Sequence, residues 1–348
     1  MLRLRHLENT LCKTQLGRQY KKESFEIQLF PSSEDLPVSA SELIAISGST
    51  GGFVGPHLHF EIRDTKSEKP INPFFFGFEV SDTKKPKILN VLAYALDERS
   101  HVNALNLPSQ LTFKKLDNGD LVTDKINAIG TIGFGVNSYD QLNGAANKNG
   151  LYSLEMYVNN AKVHEFKAET FSFSESKYIN LLIDYQRFKQ LKQRVQKCFV
   201  EPANRLSLYD RSPNNGYITI EDGFSYTVKI IAKDYSGNET SVTIPVLGKA
   251  SPILVSESPK LTSHKIDHTI FNKIVKGGVT VAIPKNTFYK DLYLDLTVEG
   301  EKVKAVYENG ILNGQANYYN IDGKLIYNGV YENDERVGDW KYYNDGKN

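Results

Sequence analysis

The sequence predicts a mainly β protein, and three observations support this. Aromatic residues are plentiful, with 20 Tyr and 18 Phe, whereas Met and Cys number two each. Aromatic and β-branched runs are separated by Gly, Asn and Asp, a pattern typical of antiparallel β domains. The C-terminal region also repeats itself at a fixed offset, as small strand-turn units do. These features favour several β modules.

The first region, residues 1–80, is predicted to contain short strands. Three stretches have strand-like patterns, at residues 25–29, 43–46 and 57–63. In the third stretch, side chains two positions apart leave the same face of the strand. This alternation places His57 and His59 on one face and directs Phe60 toward the core.

Residues 82–248 are predicted to form a β-sandwich region, entered through a linker at residues 82–86. Its strand-like runs recur at residues 88–96, 110–115, 128–136, 151–158 and 226–232. Near residues 176–197 the apolar positions come close to helical spacing, which predicts a helix with a solvated basic face.

Two further regions complete the predicted organisation. Residues 249–299 form an additional β segment. In residues 300–348, Val306-Tyr307 recurs as Val330-Tyr331 and Tyr318-Tyr319 as Tyr342-Tyr343, an offset of 24 residues. A repeat of this length corresponds to one supersecondary unit, here a β-hairpin.

Charge and hydropathy exclude several function classes. Lys and Arg number 42 against 41 Asp and Glu, so no electrostatic feature favours nucleic acid or an anionic membrane as a partner. No apolar run approaches the length of about 20 residues that a membrane helix needs, and no continuous apolar segment forms a signal peptide in this chain. Cys12 and Cys198 belong to no pair motif.

The pair His57 and His59 suits a metal site, because one imidazole can bind an ion while its neighbour handles a proton or an oxyanion. A His-x-His pair on a strand is also common as a structural or surface feature. The preceding loop lets a substrate backbone approach closely, through Gly48, Gly51, Gly52 and Gly55. The other histidines match no motif and are predicted to lie at the surface: His101, His164, His264 and His268.

The sequence around His57 and His59 resembles the signature of a known protein family. Ser47-Gly48-Ser49-Thr50-Gly51, then Gly55-Pro56-His57-Leu58-His59-Phe60-Glu61-Ile62-Arg63 and Pro70-Ile71-Asn72-Pro73, resemble the C-terminal signature of the lysostaphin/LytM-type zinc metalloendopeptidases, which are cell-wall hydrolases. The resemblance implies that residues 1–80 are the C-terminal part of an antiparallel β-sheet peptidase domain. It implies that His59 is a zinc ligand, that His57 activates the metal-bound water or stabilises the oxyanion, and that His6 in Leu4-Arg5-His6-Leu7 is a further catalytic histidine.

The resemblance also implies extracytoplasmic localisation, zinc as cofactor and peptidoglycan peptides as substrate. Residues 82–248 look like the β-sandwich region of Bacteroidetes-type members, and within them residues 223–226 and 234–238 are similar to the last strands of immunoglobulin-like modules. Residues 300–348 resemble MORN-variant repeats. The family's His-x-x-x-Asp ligands have no counterpart here, so the chain is interpreted as truncated at its N-terminus and is expected to bind zinc poorly and hydrolyse little. Two alternatives stay open: a non-catalytic protein that binds the cell wall or regulates a hydrolase in the cell envelope, and a surface interaction module.

Overall fold

The chain forms a mainly β structure, as the sequence predicts. The structure, a computed structural model, describes residues 60–256 and 262–299, the strand residues 302–307, 314–319, 325–332 and 335–342, and residues 17, 19–23, 34, 39 and 41. The chain divides into two compact units, Met1–Pro73 and Phe74–Asn348. Within the described residues, no helix is long and apolar enough to cross a bilayer.

The described part of the first unit contains one antiparallel strand pair, β1 (Ile62–Arg63) and β2 (Pro70–Ile71). A 3-10 helix, Pro73–Phe76, follows. The long β region of the second unit comprises β3 (Lys87–Ala95), β4 (His101–Val102), β5 (Leu105–Asn106), β6 (Ser109–Leu111), β7 (Phe113–Lys115), β8 (Leu121–Thr123), β9 (Ile126–Tyr139), β10 (Ser153–Val158), β11 (Ala161–Lys167), β12 (Val195–Lys197), β13 (Tyr209–Arg211), β14 (Ile218–Ile220), β15 (Ser225–Lys233), β16 (Glu239–Gly248) and β17 (Val255–Ser256).

These strands build two hydrogen-bonded ladders. In one, β13, β11, β10, β15 and β16 pair as antiparallel neighbours in that order. In the other, β9 pairs antiparallel with β3, β12 and β14. Apolar side chains from both ladders pack into one core, which includes Phe134, Leu154, Met156, Ile230 and Ile244, all fully buried. Full burial of each such side chain stabilises the fold by roughly 1.5–3 kcal/mol.

Strand β9 belongs to both ladders, and Gly130 marks the change. Up to Ile129 the strand pairs with β16 and β4, whereas from Gly130 onward it pairs with β14 and then β3. The φ angle of Gly130 is +78°, a backbone conformation that residues with a Cβ rarely adopt. Glycine at this position therefore lets one strand turn from one layer into the other.

The helix predicted near residues 176–197 is wrong as a single element. Ile183 has an extended backbone and bridges Gln196, and the left-handed Lys192 ends the last helical turn. Because these contacts favour strand geometry, the stretch breaks into shorter pieces: a 3-10 helix at Phe173–Tyr178, α1 at Ile179–Leu182, α2 at Tyr185–Leu191 and then β12.

Asp184 is the N-cap of α2 and also anchors it to the sheet. Its Oδ1 accepts from the Arg187 backbone N at 3.0 Å, and its Oδ2 accepts from the buried Tyr94 hydroxyl at 3.0 Å. We expect Asp184→Ala to lower the free energy of unfolding by about 2 kcal/mol, since it removes a cap and the partner of a buried hydroxyl. Urea unfolding followed by circular dichroism checks this. Asp184→Asn keeps one acceptor oxygen, which can still cap the helix, and should lose less. An equal loss in the two variants would contradict the capping role.

Residues 262–299 form a smaller β module with its own core. β18 (His264–Ile266) pairs with β21 (Leu292–Glu299), which pairs with β22 (Lys302–Tyr307), and β19 (Asn272–Lys276) forms a hairpin with β20 (Val279–Ile283). The hairpin turns through Gly277 and Gly278, both with positive φ, as a tight two-residue turn requires. Ile266, Leu294 and Leu296 are buried at its centre.

The C-terminal repeat corresponds to regular strand pairs. β23 (Gly314–Tyr319), β24 (Leu325–Glu332) and β25 (Glu335–Tyr342) form an antiparallel three-stranded sheet. The repeated Val-Tyr pairs lie in β22 and β24, and the repeated Tyr-Tyr pairs begin in β23 and β25. Both copies of the repeat therefore place strands at equivalent positions.

Candidate functional site

The residues that the sequence predicts for the catalytic and metal site lie outside the described residues. They are the catalytic candidates His57 and His6, the metal ligand His59, and the loop residues Gly48, Gly51, Gly52 and Gly55. Their mutual geometry is therefore still a prediction.

The end of the signature lies within the described residues and forms the β1–β2 hairpin. Asp64 builds its turn, because Asp64 Oδ1 accepts from the Ser67 backbone N at 2.8 Å and from Ser67 Oγ at 2.7 Å. These hydrogen bonds lower the pKa of the Asp64 carboxyl.

The side chain of Phe60 is 58% exposed, so the prediction that it lies in the core is wrong. The described strand pairing begins two positions later, at Ile62.

Two histidines that were predicted at the surface are core residues instead. His101 in β4 and His164 in β11 are buried, since both strands turn these side chains inward. Ser251 lies 3.2 Å from His101 Nε2, and Ser212 Oγ lies 2.9 Å from His164 Nδ1. Burial lowers the pKa of both imidazoles, that of His164 to about 3. At neutral pH they are uncharged parts of the sandwich.

Among the described residues, two groups bring metal-ligating side chains together. One comprises Asp267, His268 and Asp291, which are half-buried or exposed. Its polar atoms already have partners: Asp291 Oδ1 lies 2.8 Å from His268 Nδ1, and Asp267 Oδ1 accepts from Thr269. The group is explained as an ion pair beside a turn. The second group, Asp82, Asp140 and Asp234, offers only carboxylate oxygens, whereas zinc sites in proteins are dominated by His and Cys.

A chain of alternating charges crosses the β10, β11 and β15 surface. Lys162 Nζ lies 3.0 Å from Glu165 and 3.5 Å from Glu155, and Lys233 Nζ lies 3.0 Å from Glu155. Lys167 Nζ lies 3.4 Å from Glu165. Because each of these buried carboxylates faces two ammonium groups, the network satisfies its own charges and has a structural role.

A cleft of about 360 Å³ lies beside the helical segment. Its floor is mainly apolar, and Arg194 at its rim stacks on the Phe188 ring at 5.2 Å. The lining residues are Ser138, Gly150, Leu151, Ile179, Asn180, Ile183, Phe188, Arg194 and Gln196. The residues that line it include no pair of acid and base side chains, so they offer no general acid and base to a reaction.

Comparison with models of protein families, with curated proteins and with solved structures found no match to this chain. The functional inference therefore depends on the signature residues and on the described geometry.

Proposed function

We propose that this chain is a protein of the lysostaphin/LytM-type zinc metalloendopeptidase family, directed at the peptide cross-links of peptidoglycan outside the cytoplasm. The observation that carries the proposal is the combination of a Gly-rich loop, the His57-Leu58-His59 strand and the downstream Pro70-Ile71-Asn72-Pro73. The described hairpin pairs the end of the histidine motif, Ile62–Arg63, with the start of the Pro-Ile-Asn-Pro segment, Pro70–Ile71, which supports treating the two segments as parts of one signature.

The chemistry assigned to the two histidines differs. His59 would contribute a ligand to zinc, which when bound polarises a scissile carbonyl and lowers the pKa of water. His57 would hold a proton or stabilise an oxyanion beside it. A catalytic zinc needs about three protein ligands and a water. The sequence of residues 1–348 contains no His-x-x-x-Asp motif to supply the other ligands, so these residues by themselves are expected to hold zinc weakly and to hydrolyse cross-links slowly or not at all.

The test is zinc stoichiometry of the purified 348-residue chain, measured together with cleavage of cross-linked muropeptides and co-sedimentation with peptidoglycan sacculi. We expect far less than one zinc per chain, little cleavage and retained sacculus binding. His59→Ala should abolish the residual zinc because it removes a ligand, whereas His268→Ala, which lies in another module, should leave it unchanged.

Each outcome has a distinct consequence. About one zinc per chain with cleavage would establish an active peptidase. Sacculus binding with a trace of zinc that His59→Ala leaves unchanged would favour the non-catalytic alternative, because the zinc would then not depend on the proposed ligand. Binding to neither zinc nor sacculi would refute the proposal.

A further inference from the structure

The second acidic group has a feature that ordinary surface carboxylates lack. Asp140 follows the last residue of β9 and Asp234 follows the last residue of β15, and both are only 5% exposed. Asp82, in the segment that leads into β3, brings a third carboxylate. One oxygen from each of the three lies within 4.8 Å of the others. Three negative charges are thus gathered at one end of the sandwich.

The chain does not satisfy these charges. Asp140 Oδ1 and Asp82 Oδ2 are buried without a hydrogen-bond partner. Among the ion pairs of the described residues, none involves any of the three aspartates. The Lys84 ammonium forms no ion pair with them: its Nζ donates to the Leu142 carbonyl at 2.9 Å, and its charge acts on Asp140 only at longer range. Burial, followed by the charges of Asp234 and Asp82, raises the pKa of the Asp140 carboxyl.

The remaining oxygens are held in place by the backbone and by Asn238. Asp234 Oδ1 accepts from the Asn238 backbone N at 2.8 Å, and Asp234 Oδ2 accepts from Asn238 Nδ2 at 2.7 Å. The same Nδ2 donates to the Asp82 carbonyl at 3.2 Å, and Asp82 Oδ1 accepts from the Lys84 backbone N at 3.1 Å. The carboxylates are therefore positioned by the fold while two of their oxygens stay without a donor.

We propose that Asp82, Asp140 and Asp234 bind a calcium ion that joins the entry segment of the sandwich to the ends of β9 and β15. Calcium takes six to eight oxygen ligands at roughly 2.3–2.6 Å. Two ligands of one such ion lie at most about 5 Å apart, so three oxygens that are all within 4.8 Å of one another can reach a single ion. Magnesium demands a smaller octahedral site and keeps several waters, and zinc prefers nitrogen and sulfur.

The bound ion would have a structural role. It would neutralise two of three clustered charges and hold residues 82–86 against the sandwich, in addition to the hydrogen bond from Thr240 Oγ1 to the Pro86 carbonyl at 2.7 Å. This role is independent of His57 and His59, so the failure of either proposal leaves the other standing.

Thermal unfolding of the full chain, freed of divalent ions by chelating resin, tests the proposal, with calorimetric titration of CaCl2 as the direct binding measurement. At calcium about one hundred times the Kd, we expect the melting temperature to rise by about 5–10 °C. Equimolar MgCl2 should produce a smaller shift. Asp140→Asn and Asp82→Asn should each reduce calcium affinity at least tenfold, whereas Asp291→Asn, from the exposed acidic group, should retain wild-type affinity.

Two results would overturn the assignment. An absence of both calorimetric binding and a calcium-dependent shift would mean that the cluster is held by a shared proton. A magnesium shift equal to that of calcium would exclude the calcium assignment. If Asp140→Asn does not fold, Asp82→Asn at the half-buried edge still decides the question, and in chelator both variants should melt no lower than the wild type because each removes a repelling charge.

Discussion

Gly130→Ala is expected to lower the free energy of unfolding of the sandwich by about 2–5 kcal/mol. A residue with a Cβ costs about 1–2 kcal/mol in the left-handed region that Gly130 occupies. The new methyl would also collide with Ser100 Oγ and lie 3.1 Å from Ser100 Cα, and forcing atoms into a packed site costs about 1–3 kcal/mol more. Ser100 cannot simply move, because its Oγ accepts from the Thr131 backbone N at 2.7 Å.

Gly223→Ala is the matched control for this substitution. Gly223 has a similar φ of +81°, but a Cβ there would meet nothing within 4 Å. It should therefore cost only the conformational part, about 1–2 kcal/mol. Guanidinium unfolding followed by circular dichroism measures both variants; tryptophan fluorescence is unsuitable, since the single Trp lies in the C-terminal strand β25. Equal losses in the two variants would refute the collision with Ser100.

Acidification is expected to destabilise the sandwich through His164. Its imidazole is fully buried, with a folded-state pKa of about 3, whereas an unfolded histidine has a pKa of about 6.5. Below pH 6.5 the unfolded chain takes up a proton that the folded chain excludes, so stability is intact above pH 6.5 and falls as pH decreases toward 3. At about 1.4 kcal/mol per pH unit, the loss by pH 4.5 is about 3 kcal/mol.

The measurement is the free energy of unfolding from pH 7.5 to 4.5. His164→Gln, which cannot take up this proton, should flatten the slope by close to one proton between pH 6 and pH 4.5. His268→Gln is the matched control: it removes a histidine that is hydrogen-bonded to Asp291 outside the core and leaves the contribution of His164 in place. Burial lowers the pKa of His101 as well, so the double variant with His101→Gln should flatten the slope further. Carboxyl groups whose pKa is lowered in the folded protein, such as that of Glu155, keep a slope of the same sign near pH 4.5. A slope unchanged by His164→Gln would contradict the assignment.

The strand pattern could be predicted from sequence where apolar alternation is local. The run predicted at residues 226–232 is β15, and that at 128–136 lies inside β9. The helical segment near residue 183 could not be predicted correctly. It is interrupted because Ile183 forms a β-bridge with Gln196, and the spacing of apolar residues in the sequence does not reveal such a contact. His164 was mistaken for a surface residue for a similar reason, since a histidine in a short strand has no sequence signal of burial.

The proposed zinc site and the proposed calcium site also differ in whether the sequence can reveal them. The proposed zinc motif can be found from sequence because its residues are neighbours in the chain. The aspartate cluster cannot, since Asp82, Asp140 and Asp234 come from three distant loops. The strand-like run predicted at residues 226–232 ends just before Asp234, but only the pairing of β9 with its neighbours brings Asp140 to the same end of the sandwich.

The passage of β9 between two layers restricts how this protein can change in length. Side chains alternate with a period of two along a strand, so an inserted or deleted residue after Gly130 would invert every later side chain of β9 against β3 while the earlier half kept its register with β16. The two halves must therefore stay in phase through divergence. The connection from residue 141 to 150 has no such constraint, and length variation among related chains should accumulate there.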